Sequence, residues 1–261
     1  MTTSIIEQSS AELAGHQGFS IISNEKLRQL YISMVKCRLL AERLRALGGQ
    51  GNLCAAAGNE AAAVGVLAGL LPEDAVAAVP GDLIVRFLHN EIQCKPLEES
   101  LLRDAGPDFA TQLKLILRAA PASKSAVDRK ITVAFSSGDT GFPEAALKRA
   151  GAKRLPVIFV RHTSVLSEAF GALESGVPVI PVDGADVVAV YRVATESISH
   201  ARKGNGPTLI ECFFDPSEAH DPILKMEAYL TRKGIFREAW KLEEVANFKR
   251  QLEAAVAVNI L

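Results

Sequence analysis

Apolar residues recur along this chain at two different spacings, and the spacing predicts which segments are helices and which are strands. Over residues 24–47 they return at every third or fourth position, which is typical of a long helix with one buried face. Asn24 has the side chain of a helix N-cap, and Gly48 and Gly49 are expected to end the helix. A second helix is predicted over residues 59–71, rich in alanine and valine and ended by Pro72.

The second half of the chain alternates between continuous apolar runs and amphipathic segments. Apolar runs predict buried strands at residues 131–136, 156–160, 177–182 and 207–214. Helices are predicted between them at residues 143–150 and 186–203, and two more follow over residues 221–258 with a break near Gly234. Because strands that alternate with helices form right-handed βαβ units, the sequence predicts an α/β fold with a parallel sheet and helices on both faces.

The rest of the chain carries a weaker pattern. We predict a short strand at residues 75–79, the start of a helix at residues 96–103 and a helix at residues 109–119, while residues 83–90 are ambiguous. Residues 1–22 are polar and irregular, so we expect a flexible N-terminal segment ahead of a single domain over residues 23–261.

Composition excludes several classes of function. The chain has 29 basic and 30 acidic residues, a net charge of -1 and 48% hydrophobic residues, so we expect neither nucleic acid nor an anionic membrane as a partner. No apolar window is long enough for a spanning helix, and the first residues match no secretory or transit signal. The four cysteines form no CxxC pair, which favours reduced, structural thiols and a cytoplasmic location.

Candidate chemistry lies where strands end, because ligands of a parallel sheet bind beyond the carboxyl ends of its strands. The turn Gly138-Asp139-Thr140-Gly141 offers backbone N–H groups for an anion and one carboxylate for Mg²⁺, although its spacing alone favours a simple tight turn.

Two further strand ends carry polar side chains. Arg161 and His162 would form an anion clamp, or would be surface groups after a buried strand, which is the interpretation we favour. Asp183 and Asp186 are expected to serve the turn and the cap of the next helix. His200 falls near the end of that helix, where its cationic form suits the dipole.

Several segments in a fixed order carry a further signal: Leu27–Tyr31, Gly58-Asn59-Glu60-Ala61, Leu71-Pro72-Glu73-Asp74, Leu155–Val160, Val182–Val187, Gly206–Glu211 and Asp221-Pro222-Ile223. Taken together, they resemble the α subunit of thiamine-diphosphate-dependent 2-oxo acid dehydrogenases, the E1 component of the pyruvate, branched-chain and acetoin type. The resemblance runs over residues 25–260 in the family's order.

The resemblance implies a thiamine-diphosphate-binding-like fold and a defined cofactor site. In the family, a Gly-Asp-Gly step and a later Asn-Asn pair hold Mg²⁺ and diphosphate. Here Gly138 and Asp139 match the first element, with Asp139 as the metal ligand, and Thr163-Ser164 stands in place of the second. The residue that grips the diphosphate in the family falls near Pro80-Gly81, where a cation is missing, and Arg86 is the nearest one.

Other family features are shortened. The Gly-rich segment that lines the family's active site is reduced here to residues 104–130, and the loop after Phe214 runs almost directly into Asp221. His220 matches the residue beside the Asp-Pro-Ile step, so the role of the family's catalytic histidine is not transferred to it. The resemblance further implies a homo-oligomer or an E1 β-type partner, with Gly65 and Gly69 on an interface helix.

Three functions remain open. The first is a degenerate E1 α-like protein that no longer binds thiamine diphosphate and Mg²⁺ and serves as a binding or assembly module. The second is an active E1 α-type subunit that uses this cofactor with a β-type partner. The third is a sensor of a small anion or nucleotide at the Gly138–Gly141 turn.

Overall fold

The computed structural model of the chain describes residues 22–47, 60–78, 82–101, 108–123, 130–136, 141–164, 174–214 and 221–260. Most of the predicted N-terminal segment, residues 1–21, lies outside these ranges, as do Gly48 and Gly49. Ile22, which the sequence assigns to that segment, is buried in the core.

The described strands form one parallel sheet. The strands are β1 (Ala75–Ala77), β2 (Thr132–Ser136), β3 (Val157–Thr163), β4 (Val179–Asp183) and β5 (Thr208–Phe213). Their order across the sheet is β1-β2-β3-β5-β4, and every neighbouring pair is parallel. The predicted parallel α/β architecture is therefore confirmed.

Helices cover both faces of this sheet. They are α1 (Asn24–Ala46), α2 (Glu60–Leu67), α3 (Leu83–Ile92), α4 (Leu97–Leu101), α5 (Phe109–Ser123), α6 (Glu144–Ala152), α7 (Val187–Arg202), α8 (Pro222–Arg232) and α9 (Glu238–Ile260). The larger hydrophobic cluster lies between the sheet and α1, α2, α3, α7, α8 and α9. A smaller cluster lies on the other face, against α5 and α6. None of the described helices is both long and apolar enough to cross a bilayer.

Helix boundaries show where local sequence signals were misjudged. The N-cap of α1 is Ser23, whose Oγ accepts a hydrogen bond from the backbone N–H of Lys26 at 3.1 Å, so the assignment of the cap to Asn24 is wrong. The second helix ends at Leu67, before the predicted residue 71, and the ambiguous segment at residues 83–90 belongs to helix α3. Asp186 caps α7 as predicted, because its carboxylate accepts hydrogen bonds from Val188 and Ala189.

Gly65 explains how α2 reaches α7. A Cβ atom at Gly65 would lie 2.7 Å from Cγ1 of Val190 on α7, and one at Gly69 would lie 3.2 Å from Cδ1 of Ile198. The prediction of a close approach is confirmed. Both glycines, however, face α7 of the same chain, so they give no support to the predicted subunit interface on this helix.

Candidate functional site

The order of the strands predicts a crevice at the carboxyl end of β3. Helix α6, which follows β2 in the chain, packs on one face of the sheet, and α8, which follows β5, packs on the opposite face. Adjacent connections that leave a parallel sheet toward opposite faces open a crevice between them. Strand β3 lies between β2 and β5, so its last residues form the floor of this crevice.

Register decides which side chains share a face of the crevice. Ser136, Arg161 and Glu211 are aligned across β2, β3 and β5, and His162 is aligned with Cys212 one position later. Because successive side chains of a strand point to opposite faces, Arg161 and Glu211 lie on the side of α6, whereas His162 and Cys212 lie on the side of α7 and α8.

A buried ion pair occupies the first of these faces. Nη2 of Arg161 lies 2.9 Å from Oε1 of Glu211, and the side chains are only 18% and 4% exposed. The guanidinium also lies close to Gly141, since a Cβ at Gly141 would lie 3.3 Å from Nη1 of Arg161. Arg161 is therefore inside the crevice, and the favoured interpretation of a surface group is wrong.

His162 occupies the opposite face and does not join Arg161 in an anion clamp. Its ring packs edge-on against Phe135 and Phe214, with centroids 6.5 Å and 5.8 Å away. Burial lowers the pKa of His162 to about 4, and its Nε2 has no hydrogen-bond partner among the described residues. Burial likewise raises the pKa of Cys212 to about 12, so this thiol is unreactive at neutral pH. The side chains described on this face of the crevice are therefore uncharged at neutral pH.

Of the cofactor residues predicted from the sequence, Thr163 is among the described residues. Gly138 and Asp139 lie outside the described residues, so their predicted roles stay predictions. Thr163 is 7% exposed, its carbonyl accepts a hydrogen bond from the backbone N–H of Phe214 at 2.9 Å, and it makes a further contact. Across the described ranges no group of three or more His, Cys, Asp or Glu side chains is arranged to hold a metal ion.

Arg86, the nearest cation to the position that grips the diphosphate in the family, is already engaged. Its Nε and Nη2 donate to the carbonyl oxygen of Ser100 at 3.0 Å and 2.7 Å, which ties α3 to α4. Pro80 and Gly81 themselves lie outside the described residues.

The carboxyl end of β4 has a structural role, as predicted. Asp183 Oδ1 accepts a hydrogen bond from the backbone N–H of Ala185, and its Oδ2 lies 2.5 Å from Nζ of Lys225 on α8. Gly184 lies so close to Phe214 that a Cβ there would approach the ring to 2.5 Å. The absence of a side chain at Gly184 therefore leaves room for the Phe214 ring, which packs edge-on against His162.

Sequence reasoning missed a second ionic cluster, in which Arg38 of α1 binds two carboxylates. Its Nε lies 2.7 Å from Oε1 of Glu60 on α2, and its Nη1 lies 2.6 Å from Oδ2 of Asp221, the N-cap of α8. Although burial opposes the shift, the hydrogen bonds from Arg38 hold the pKa of Asp221 below its usual value. The only sequence signal was an arginine among the apolar positions of α1.

Comparison with known proteins agrees with this architecture. The family model described as "Dehydrogenase E1 component" matches residues 145–254. The chain is 24% identical to the pyruvate dehydrogenase E1 component subunit alpha of Bacillus subtilis, over 94% of this chain and 81% of that protein. It is 26% identical to the proteins of the same name from Staphylococcus aureus and Staphylococcus epidermidis, over 90% of this chain and 78% of each of them.

Proposed function

We propose that this chain, as a divergent member of the α-subunit type of the dehydrogenase E1 component family, is a non-catalytic binding or assembly module that has lost thiamine diphosphate. The proposal concerns the crevice at the end of β3, where the resemblance would place the cofactor. It leaves the scaffold and its capacity to meet other subunits intact.

The observation that carries the proposal is the Arg161–Glu211 ion pair inside that crevice. A buried carboxylate beside the diphosphate would repel it, and Arg161 would have to leave Glu211 in order to bind an anion instead. Breaking a buried pair leaves an uncompensated charge and costs about 3–5 kcal/mol. The two charges therefore satisfy each other, and an external anion would have to compete with Glu211 for Arg161.

The ligand set supports the same conclusion. Where the family has two asparagines, this chain has Thr163 and Ser164, and neither offers the amide oxygen that the resemblance implies for Mg²⁺. Each lost partner of a charged hydrogen bond costs about 2–5 kcal/mol, so several losses together weaken binding by orders of magnitude.

The groups that hold the scaffold together are present, whereas the Asn-Asn pair that the resemblance implies for the cofactor is replaced by Thr163-Ser164. Arg38 links α1, α2 and α8 through two carboxylates, and Gly65 lets α2 approach α7. A chain that keeps its packing while losing its ligands is best explained by a role in binding or assembly. The partner we propose is a second copy of the chain or an E1 β-type subunit, and sedimentation that shows only monomers, alone and with a β-type subunit, would contradict this.

A calorimetric titration with thiamine diphosphate and Mg²⁺ tests the loss of the cofactor. We expect no heat of binding at concentrations up to about 100 μM, for the chain alone and for its mixture with a β-type subunit from the same cell. The mixture is needed because the family's site lies between subunits. Saturable binding tighter than this limit, or turnover of a 2-oxo acid by the mixture, would contradict the proposal and favour an active E1 α-type subunit.

A further inference from the structure

A second cavity lies away from the crevice, in the groove between α7 and α8. Its volume is about 220 Å³, and it begins beyond the carboxyl end of the edge strand β4. Arg192 of α7 and Lys225, Met226, Tyr229 and Arg232 of α8 contribute to its walls. We call this cavity the α7–α8 groove.

Two of the three cations in the α7–α8 groove have no carboxylate partner within the described ranges. Lys225 is compensated, since its Nζ lies 2.5 Å from Asp183 and 3.7 Å from Asp186. The same aspartates are further satisfied by backbone N–H groups at the start of α7. Arg192 and Arg232 form no ion pair with a described carboxylate, although the whole chain carries more acidic than basic residues.

Tyr229 gives the groove an aromatic wall and fixes one of these arginines. The guanidinium carbon of Arg232 lies 5.8 Å from the ring centroid of Tyr229, and Nζ of Lys233 lies 5.7 Å from it. A cation held against an aromatic face loses less conformational freedom when it binds an anion. Met226, which is 3% exposed, forms the apolar floor beside it.

We infer that the α7–α8 groove binds a small phosphate monoester, with the phosphate between Arg192 and Arg232 and its organic group against Tyr229 and Met226. Two uncompensated guanidinium groups match a doubly charged oxyanion, and the planar fork of arginine suits phosphate oxygens. The volume of about 220 Å³ suits a small ligand of this kind. This inference goes beyond the proposed function, because it concerns neither the crevice nor an assembly partner.

Calorimetric titration of the full chain with phenyl phosphate tests this inference at low salt. We expect saturable binding that weakens by about tenfold in Arg192→Gln and in Arg232→Gln, because each removes one charged donor pair. Arg118→Gln is the matched control: Arg118 is an exposed arginine of α5, on the opposite face of the sheet, and its loss should leave binding unchanged. Circular dichroism of each variant verifies that it is folded.

Two further ligands identify which part of the molecule is recognised. Inorganic phosphate should bind more weakly than phenyl phosphate, since it cannot contact Tyr229, and benzoate should bind more weakly because it carries one charge. Binding should also weaken below about pH 6, where a phosphate monoester loses its second charge. Absence of binding, equal binding by the arginine variants and the control, or equal binding of benzoate would overturn the inference.

Discussion

Removal of the Arg161–Glu211 ion pair tests the electrostatic argument for the crevice directly. Glu211 is 4% exposed and Arg161 is 18% exposed, so each charge depends on the other more than a surface pair would. Arg161→Met removes the cation that lies against the more deeply buried charge and should lower the free energy of unfolding by about 3–5 kcal/mol. Glu211→Gln leaves the more accessible arginine and should cost about 2–3 kcal/mol, because water can reach its guanidinium.

The double variant is the decisive measurement. Arg161→Met combined with Glu211→Met replaces the pair by apolar groups, and the loss should be smaller than that of Arg161→Met alone, since no charge remains uncompensated. Urea unfolding of the parent and the three variants, with equal dependence on denaturant, gives the coupling free energy between the two side chains. A coupling below about 0.5 kcal/mol would refute the argument that the pair competes with an external anion.

Three further outcomes follow from packing and charge. Gly65→Ala should lower the free energy of unfolding by about 1–3 kcal/mol, because its new methyl group would meet Val190. Gly69→Ala should lower it by less, and equal losses in urea unfolding would contradict this expectation. His162 binds its proton more weakly in the folded chain, where its pKa is about 4 against 6.5, so acidification from pH 6.5 to 4 should lower the free energy of unfolding by about 3 kcal/mol. In His162→Leu the free energy of unfolding should fall less steeply over the same pH range. Arg38→Met should cost about 3–5 kcal/mol in urea unfolding, because its carboxylate partners lose their cation, and a change below about 1 kcal/mol would show that Arg38 does not couple the three helices.

The fold could be predicted because hydrophobic spacing depends on local geometry. The period of about 3.6 residues located α1 and α7, and the continuous apolar runs located β2, β3 and β5. Boundaries were less certain, since a cap depends on one side chain: Ser23 rather than Asn24 closes the first turn of α1. Each of these signals is contained in fewer than about twenty-five neighbouring residues.

The crevice could not be predicted in the same way, because its main contact joins residues that are far apart in the chain. Arg161 and Glu211 meet only because β5 inserts between β3 and β4, and nothing local to either strand reports that order. The apolar side chains around His162 also come from separate strands, so its burial was invisible in the sequence. The Asp139 prediction stays a prediction.

The order of the strands also has a consequence for biosynthesis. Among the described strands, β4 pairs with β5 alone. It nevertheless leaves the ribosome before β5 does, and the whole of α7 emerges between the two strands. Until residue 213 has emerged, β3 is the edge strand of the growing sheet, and β4 is unpaired with exposed amide groups. This interval is when a nascent-chain chaperone would have the most to protect.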